Sequence, residues 1–304
     1  MKKIKIGIPR AFTYHRYGVL WKYFFQSLGC KLVLSPETNQ EILDLGINNT
    51  LDECCLSYKI YIGHVLYLND KCDYLLISRI CNYGKNDKVC TRFNEIYDNI
   101  KYLVPKKKIL YYSIEHTKFK YEFLGFIKMG FIITKNPFKI IYSYIIAKKK
   151  QKQYDITKEN EEKNKLLSKN KKILIISQFY NIKDKFISKY IIDYLTNNDI
   201  TTLFSNNLDK KIASSFSEYF SDTLYWKYSK EMIGALYYYL HQIDGVIFIS
   251  TYSCDIDSLV NNLAILKNKQ LPILNLVIKE NITDLSLETK LQSFLDIIKG
   301  ANDE

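Results

Sequence analysis

Three cysteines lie where a fold of alternating strands and helices would expose a thiolate. Cys90 and Cys254 follow apolar runs that predict strands, and Cys55 lies at the predicted start of a helix. Soft thiolate ligands drawn from separate loops are typical of iron–sulfur sites. We therefore expect Cys55, Cys90 and Cys254 to meet at the junction of two domains and to bind a metal centre of the iron–sulfur kind.

The remaining cysteines are weaker candidates for metal ligands. The chain has seven cysteines without regular spacing and we expect no export signal, which favours thiols over a disulfide framework. Cys81 lies nine residues before Cys90 at a predicted strand exit and is the candidate for a fourth ligand. Cys30 and Cys72 adjoin strands and are interpreted as packing residues, while Cys54 would point about 100° away from Cys55 on a helix.

The segment that carries Cys55 predicts a helix with one apolar face. Asp52 is the expected N-cap, and the apolar positions continue at four-residue spacing through residues 56–68. Cys55 would then lie in the first turn, where the positive helix end favours an anionic thiolate and an anionic cluster. His64 is interpreted as a core histidine, and Lys59 either stabilises cluster charge or is exposed.

Eight short apolar runs predict buried parallel strands. They are residues 4–8, 31–34, 74–78 and 109–112 in the first half, and 173–177, 201–204, 246–250 and 273–277 in the second. Helical patterns separate them, and the two halves repeat the same order. The expected fold is α/β, with two doubly wound, Rossmann-like (flavodoxin-like) parallel-sheet domains related by a degenerate internal repeat and joined by connecting helices.

Length and charge place the domain boundaries. The 304 residues allow two domains, which we assign to residues 1–145 and 171–304 on either side of a basic helical linker at 146–170. Residues 148–172 hold ten lysines and four acidic residues, half of the net charge of +12. A charge run of this kind is typical of a solvated helix and disfavours nucleic-acid binding.

Several function classes are disfavoured. No apolar run approaches the ~20 residues of a membrane span, and Pro9 and Arg10 interrupt the amino-terminal apolar stretch. We expect a cytoplasmic protein without a membrane partner. Gly-rich phosphate loops are absent from the sequence, so ATP hydrolysis within this chain is not expected.

Polar residues at strand exits are candidates for substrate binding. Arg10 and His15 follow the first strand and Arg79 leaves the third, where a sheet of this type binds its ligands. Each has the alternative of being an ordinary loop residue. Asp257 and Ser258 are expected to cap a helix after Cys254. Tyr180 and Asn181 follow the fifth predicted strand, and Tyr180 is a candidate neighbour of the site.

Segments along the whole chain carry a family resemblance. They include KIGIPRAFTYHRYGVLWKYFFQSLGCKLVLS, DECCLSYKIYIGHVLYL, VCTRF, KILIISQFYNIKDKFISKYIIDYL and SCDIDSLVNN. Together they cover roughly residues 3–299 and resemble the acyl-CoA dehydratase activase-related proteins. These are relatives of the cluster-bearing subunits of 2-hydroxyacyl-CoA dehydratases and of benzoyl-CoA reductase-type enzymes.

The resemblance implies a ligand set. A pattern similar to Glu-Ala-Cys-Leu-Pro-Val-Lys falls on residues 53–59 and places a ligand at Cys55, and VCTRF places the second at Cys90. A pattern similar to Gly-Cys-Gly-Pro-Asp-Ser falls on residues 253–258 and places the third at Cys254. A [4Fe–4S] cluster with three protein ligands is implied. The glycines and proline around Cys254 and the proline after Cys55 are replaced here.

The resemblance also implies a function. The chain would be an iron–sulfur redox protein of anaerobic metabolism that accepts low-potential electrons from a separate ATP-dependent activator and reduces or dehydrates a small or CoA-linked substrate. A homodimeric or heterodimeric partner is a further expectation. The alternative is a non-enzymatic electron relay or maturation partner that carries the cluster, and a nucleic-acid-binding module using the basic surface is a third hypothesis.

Overall fold

The computed structural model describes residues 3–280 and 285–300. Its eight strands are β1 (Lys5–Ile8), β2 (Lys31–Leu34), β3 (Tyr74–Asn82), β4 (Ile109–Glu115), β5 (Lys172–Ile176), β6 (Thr201–Phe204), β7 (Gly245–Thr251) and β8 (Ile273–Ile278). Every strand that the apolar runs predict is present, and β3 and β4 extend beyond their predicted ends.

Twelve α-helices occur in the described residues. In chain order they are α1 (Tyr14–Ser27), α2 (Gln40–Ile47), α3 (Leu56–Leu68), α4 (Thr91–Leu103), α5 (Glu122–Ile133), α6 (Pro137–Leu166), α7 (Phe179–Lys183), α8 (Lys185–Asn197), α9 (Lys210–Phe216), α10 (Lys227–Tyr239), α11 (Asp255–Lys267) and α12 (Leu285–Gly300). Helix α1 ends shortly before Gly29, whose φ of 93° favours glycine.

The strands form two four-stranded sheets with the same topology. Their orders are β2-β1-β3-β4 and β6-β5-β7-β8, and all neighbouring strands are parallel. In each sheet the second strand lies on one side of the first strand, and the third and fourth strands lie on the other side, as in doubly wound folds. The predicted α/β class and the internal repeat are therefore confirmed.

The central strands β1, β3, β5 and β7 are mostly buried, whereas the edge strands β2 and β8 are partly exposed. All seven residues of β7 are buried, and Ile173–Ile176 in β5 are fully buried. Such continuous apolar strands are expected of parallel sheets with helices on both sides. In the first sheet, a Cβ atom added at Gly7 would lie 2.5 Å from the Cys72 sulfur, so glycine leaves room for a buried thiol.

The chain divides into two compact units. Unit 1 comprises Met1–Tyr154 and Tyr225–Lys227, and unit 2 comprises Asp155–Leu224 and Tyr228–Glu304. The basic segment that we expected as a linker is helical through residue 166, where it forms the later turns of α6. In unit 2, Glu162 of this helix is 1% exposed and accepts hydrogen bonds from the Phe204 N–H and from Lys165, so part of the segment is packed rather than solvated.

Candidate metal centre

Cys55, Cys90 and Cys254 share one local geometry. Each is the N-cap residue of a helix, preceding α3, α4 and α11 respectively, and each is partly exposed. No cap side chain accepts a hydrogen bond from its helix at these three positions. The three residues therefore lie at the start of a first helical turn, where the positive end of the helix favours an anionic side chain.

Two of the three positions are equivalent in the internal repeat. Cys90 caps the helix that follows β3, and Cys254 caps the helix that follows β7. Strand β3 pairs with β1 as β7 pairs with β5, so these cysteines occupy matching places at the carboxyl edges of their sheets. Cys55 has no such counterpart, because it caps the helix that precedes β3.

The donor set suits an iron–sulfur cluster chemically. All seven cysteines are thiols, and Cys55, Cys90, Cys254 and also Cys81 are only partly buried, whereas Cys30, Cys54 and Cys72 are buried. Cys55 and Cys90 belong to unit 1 and Cys254 to unit 2. Across residues 3–280 and 285–300, no group of three or more His, Cys, Asp or Glu side chains is arranged to hold a metal ion.

The start of α3 differs from the prediction. Asp52 was expected as the N-cap, but the helix begins at Leu56 and Cys55 is the cap. The reason is a turn in which the Cys54 N–H donates to the Leu51 carbonyl at 3.0 Å, which delays the helix. Lys59 is 4% exposed, so the structure excludes the alternative in which this lysine is exposed to solvent.

The start of α11 also differs from the prediction. Asp257 was expected to cap the helix together with Ser258, but the helix begins at Asp255 and Asp257 is buried inside it. Its carboxylate accepts a hydrogen bond from the Gln178 amide at 2.7 Å. Burial raises the pKa of Asp257 to about 6, although hydrogen bonds from Gln178 and Cys254 oppose this rise. Asp257 thus ties the first turn after Cys254 to the loop that follows β5.

Cys81 lies on β3 and is engaged with a neighbouring helix. Its thiol donates to Oδ1 of Asn94 in α4 at 2.8 Å. Burial raises the pKa of the Cys81 thiol, although the charge of Arg79 opposes this effect. A protonated thiol that donates to an amide oxygen is a poorer metal ligand than the three N-cap cysteines.

Arg79 is positioned by the same asparagine. Its guanidinium donates to Oδ1 of Asn94 at 2.7 Å and to the Asn94 carbonyl at 2.9 Å, and it lies 3.9 Å from Glu115. These contacts fasten α4, whose N-cap is Cys90, to the edge of β3. Arg79 was expected among the substrate-binding residues, and the structure places it in contacts within unit 1.

Arg10 and His15 flank a polar group at the carboxyl edge of the first sheet. The Arg10 N–H donates to Oγ of Ser35, which directly follows β2, at 2.9 Å, and its guanidinium lies 3.3 Å from Glu37. The buried hydroxyls of Thr13 and Ser78 are hydrogen-bonded to each other. This pair lies between β1 and β3, the switch point where doubly wound sheets bind ligands.

Sequence reasoning missed the residues that shape this edge. Phe12 has a φ of 48°, an uncommon conformation for a bulky residue, and it is buried against Tyr61 with ring centroids 5.0 Å apart. The resulting turn directs Thr13 towards Ser78. The position of Ser78 at the end of a predicted strand is a signal that could have identified it, whereas nothing in the sequence marks the conformation of Phe12.

In unit 2 the equivalent edge is also polar and buried. Ser177 donates to the Ile249 carbonyl, and the Asn181 amide donates to Ser177 Oγ at 3.2 Å. Tyr180 is 9% exposed and contacts Phe179 edge to face, which gives it a packing contact in α7. Gln178 occupies the place after β5 that Arg10 occupies after β1, so the charged side chain of the first unit is replaced by an amide in the second.

Comparisons with known proteins identify one family. The family model described as CoA enzyme activase uncharacterised domain (DUF2229) matches residues 5–208, about two thirds of the chain. This range includes Cys55 and Cys90 and ends before Cys254. No curated protein matches the sequence.

Two solved structures align along most of the chain at low similarity. AdcAII of Streptococcus pneumoniae is 7% identical, with 98% of each chain covered and a TM-score of 0.29. The C-terminal domain of glucosamine-fructose-6-phosphate aminotransferase from Francisella tularensis is 10% identical, with 98% of this chain and 85% of that chain covered and a TM-score of 0.25.

Proposed function

Because the chain belongs to the family described as CoA enzyme activase uncharacterised domain, we propose that it is an iron–sulfur redox protein serving a CoA-linked reaction. Family membership supports a role connected with a CoA enzyme and with a partner enzyme. The observation that carries the finer proposal is the shared N-cap position of Cys55, Cys90 and Cys254.

These three cysteines would hold a [4Fe–4S] cluster, which when bound supplies one-electron chemistry at low potential. The chain's own contribution is electrostatic. Three helix N-termini present backbone N–H groups next to the thiolates and stabilise their negative charge. Three thiolates also leave one ligand position for water or substrate, which favours chemistry over simple electron transfer.

Neighbouring side chains would position the thiolates. Asp257 and Gln178 join the first turn of α11 to the loop after β5, which holds the backbone of Cys254. Asn94 receives hydrogen bonds from Arg79 and Cys81, which holds the first turn of α4 behind Cys90. Positioning of this kind orients ligands before the metal binds.

The electrons would come from a separate ATP-dependent activator, since the sequence offers no phosphate loop of its own. The substrate would be a small or CoA-linked molecule that is reduced or dehydrated. Arg10 and His15, at the switch-point edge of the first sheet, are the proposed substrate contacts in unit 1. The guanidinium of Arg10 is partly exposed and would attract a phosphate or carboxylate.

An electron relay or maturation partner is the second candidate. The observation that favours it is the engagement of Arg79 and Cys81 by Asn94, which leaves fewer polar groups for substrate chemistry. The replacement of the family's glycine and proline residues around Cys254 points the same way.

A reductive titration of the anaerobically reconstituted protein tests the proposal. We expect a brown protein whose visible absorption bleaches on reduction, and whose reduced form is reoxidised by an acyl-CoA ester. Reoxidation by electron-acceptor proteins alone, without turnover of any CoA ester, would identify a relay. A colourless protein without iron after reconstitution would contradict both candidates.

A further inference from the structure

Helices α5 and α6 form an antiparallel hairpin in unit 1. The inner face of α6 packs against α1, where Ser143 donates to Ser27 at 2.9 Å and the Leu20 N–H donates to Gln151 at 3.0 Å. The helices contact each other closely, since a Cβ atom added at Gly130 would lie 2.5 Å from the Ile140 side chain. The buried sides of α5 and of the first half of α6 therefore pack within unit 1.

The outer side of the hairpin is apolar as well. Six large side chains on it are each between 47% and 81% exposed: Leu124, Phe131, Ile132, Phe138, Tyr142 and Ile145. We call these six residues the hairpin face. Both helices direct their inner sides to the same core, so their outer sides face solvent together.

The exposed apolar side chains of the hairpin face indicate an interaction surface. The start of α6 is apolar on the buried face and again on the outer face, at Phe138, Tyr142 and Ile145 with helical spacing. A helix that is apolar all round is normally buried, and large exposed apolar patches mark interaction sites. The hairpin face is therefore a surface that another body covers.

The charge around the hairpin face shows which body fits. Residues 123–154 contain seven lysines and no Asp or Glu. Lys149 and Lys152 continue the stripe of Phe138, Tyr142 and Ile145 by the next helical turns, and both are exposed. Glu122, which precedes the segment, already pairs with Lys148 at 3.0 Å. The covering surface must therefore be apolar and negatively charged.

We propose that the hairpin face docks on an anionic phospholipid surface. Exposed aromatic and aliphatic side chains beside lysines are the composition of helices that lie in the membrane interface, with lysines at the headgroups and apolar side chains below them. A second copy of this chain fits less well, because it brings the same lysines and no carboxylates to pair with them. Docking of this kind requires no membrane-spanning helix and does not depend on the cluster.

Co-sedimentation of the full-length protein with vesicles tests the proposal. The probes are vesicles of phosphatidylcholine alone and vesicles of phosphatidylcholine with phosphatidylglycerol, each at low and at physiological ionic strength. We expect binding to the anionic vesicles that weakens with salt, and little binding to neutral ones. Absence of binding to anionic vesicles at low ionic strength would overturn the proposal.

Variants separate docking from general attraction by a basic protein. The double variant Phe138→Ser/Ile145→Ser changes only exposed side chains and should reduce binding by at least about tenfold. The matched control Leu167→Ser/Leu266→Ser alters side chains that are 81% and 71% exposed outside the hairpin, and it should bind like the wild type.

Lysine substitutions inside and outside the hairpin complete the test. Lys149→Gln and Lys152→Gln should each weaken binding about fivefold, whereas Lys106→Gln and Lys290→Gln should not. Equal losses in both pairs would overturn a docking site on the hairpin. Concentration-dependent self-association of the wild type in analytical ultracentrifugation, lost in Phe138→Ser/Ile145→Ser, would instead assign the hairpin face to a second copy and overturn the proposal.

Discussion

Ser253 lies where the pattern of the resembling family has glycine, and its own backbone adopts a conformation that favours glycine. It precedes Cys254 and has a φ of 62°, in the left-handed region where a Cβ atom is disfavoured. The turn that presents Cys254 at the start of α11 is thus formed even though the glycine is replaced. The cost is local backbone strain beside a proposed ligand.

Replacing Ser253 with glycine should relieve this strain. We expect Ser253→Gly to raise the free energy of unfolding by about 1 kcal/mol, measured by chemical denaturation. The matched control is Ser258→Gly, an exposed serine inside α11, which should lower stability by about 0.5 kcal/mol because glycine is a poor helix former. Equal effects of the two substitutions would contradict the strain.

His64 makes the fold sensitive to acid. It is fully buried in α3, with Nε2 3.0 Å from the Thr38 hydroxyl. Burial, with a smaller contribution from Arg10, lowers the pKa of His64 from 6.5 to about 3. The folded protein therefore excludes a proton that the unfolded chain binds, so this contribution to stability is complete above pH 6.5 and is lost as the pH falls towards 3.

The expected loss is about 1.4 kcal/mol per pH unit below pH 6.5. Denaturation at a series of pH values between 4.5 and 7 measures it, with His64→Leu expected to reduce the slope. His241→Leu, at an exposed position, serves as the control and should keep the wild-type slope. An unchanged slope in His64→Leu would show that other groups cause the acid sensitivity.

At the level of elements, the crossing of α2 and α3 places Cys55. A Cβ atom added at Gly63 would lie 1.9 Å from the Ile42 carbonyl oxygen, and one added at Gly46 would lie 1.9 Å from the Lys59 carbonyl oxygen. The two helices therefore touch backbone to backbone. This contact fixes the axis of α3, whose N-cap is Cys55.

Gly63→Ala should separate the two helices. We expect a loss of roughly 3 kcal/mol or more in unfolding free energy, because the clash is with backbone rather than with a movable side chain. The reconstituted variant should also hold less iron, since Cys55 moves with α3. Gly84→Ala is the control, because an added Cβ there meets nothing within 4 Å. A stable, iron-replete Gly63→Ala protein would contradict this role of the crossing.

Strands were more predictable than helix starts, for a physical reason. Strands such as Thr201–Phe204 are short apolar runs bounded by polar residues, so the local hydrophobic pattern is enough to predict them. The start of α3 depends instead on a turn through Leu51 and Cys54, and Asp52 offers an equally good cap in isolation. A single sequence cannot weigh these two local options without the packing of α3.

The candidate site was predictable only in part. Cys90 and Cys254 follow strands and Cys55 precedes a predicted helix, so the pattern located these three cysteines in the fold. The contacts of Asp257 and Asn94 could not, because each joins residues far apart in sequence, as in the hydrogen bond between Gln178 and Asp257. Arg79 was predicted to contact substrate, because the sequence does not show that its guanidinium is hydrogen-bonded to Asn94.

At the scale of the whole molecule, the two units share one sheet topology but differ in the number of N-cap cysteines that they contain. Cys90 and Cys254 occupy equivalent N-caps after β3 and β7, whereas Cys55 occurs in the first unit alone. Our central claim is the proposal that Cys55, Cys90 and Cys254 together bind one metal centre.

Iron and sulfide analysis of cysteine variants after anaerobic reconstitution tests that claim most directly. Cys55→Ser, Cys90→Ser and Cys254→Ser should each lose most of the iron, because a hydroxyl replaces a soft thiolate poorly. The buried controls Cys30→Ser and Cys72→Ser should keep the iron and lose about 1–3 kcal/mol of stability, and Cys81→Ser should also keep it. Full iron content in Cys254→Ser, with loss in Cys54→Ser or Cys81→Ser, would contradict a centre shared by the two units.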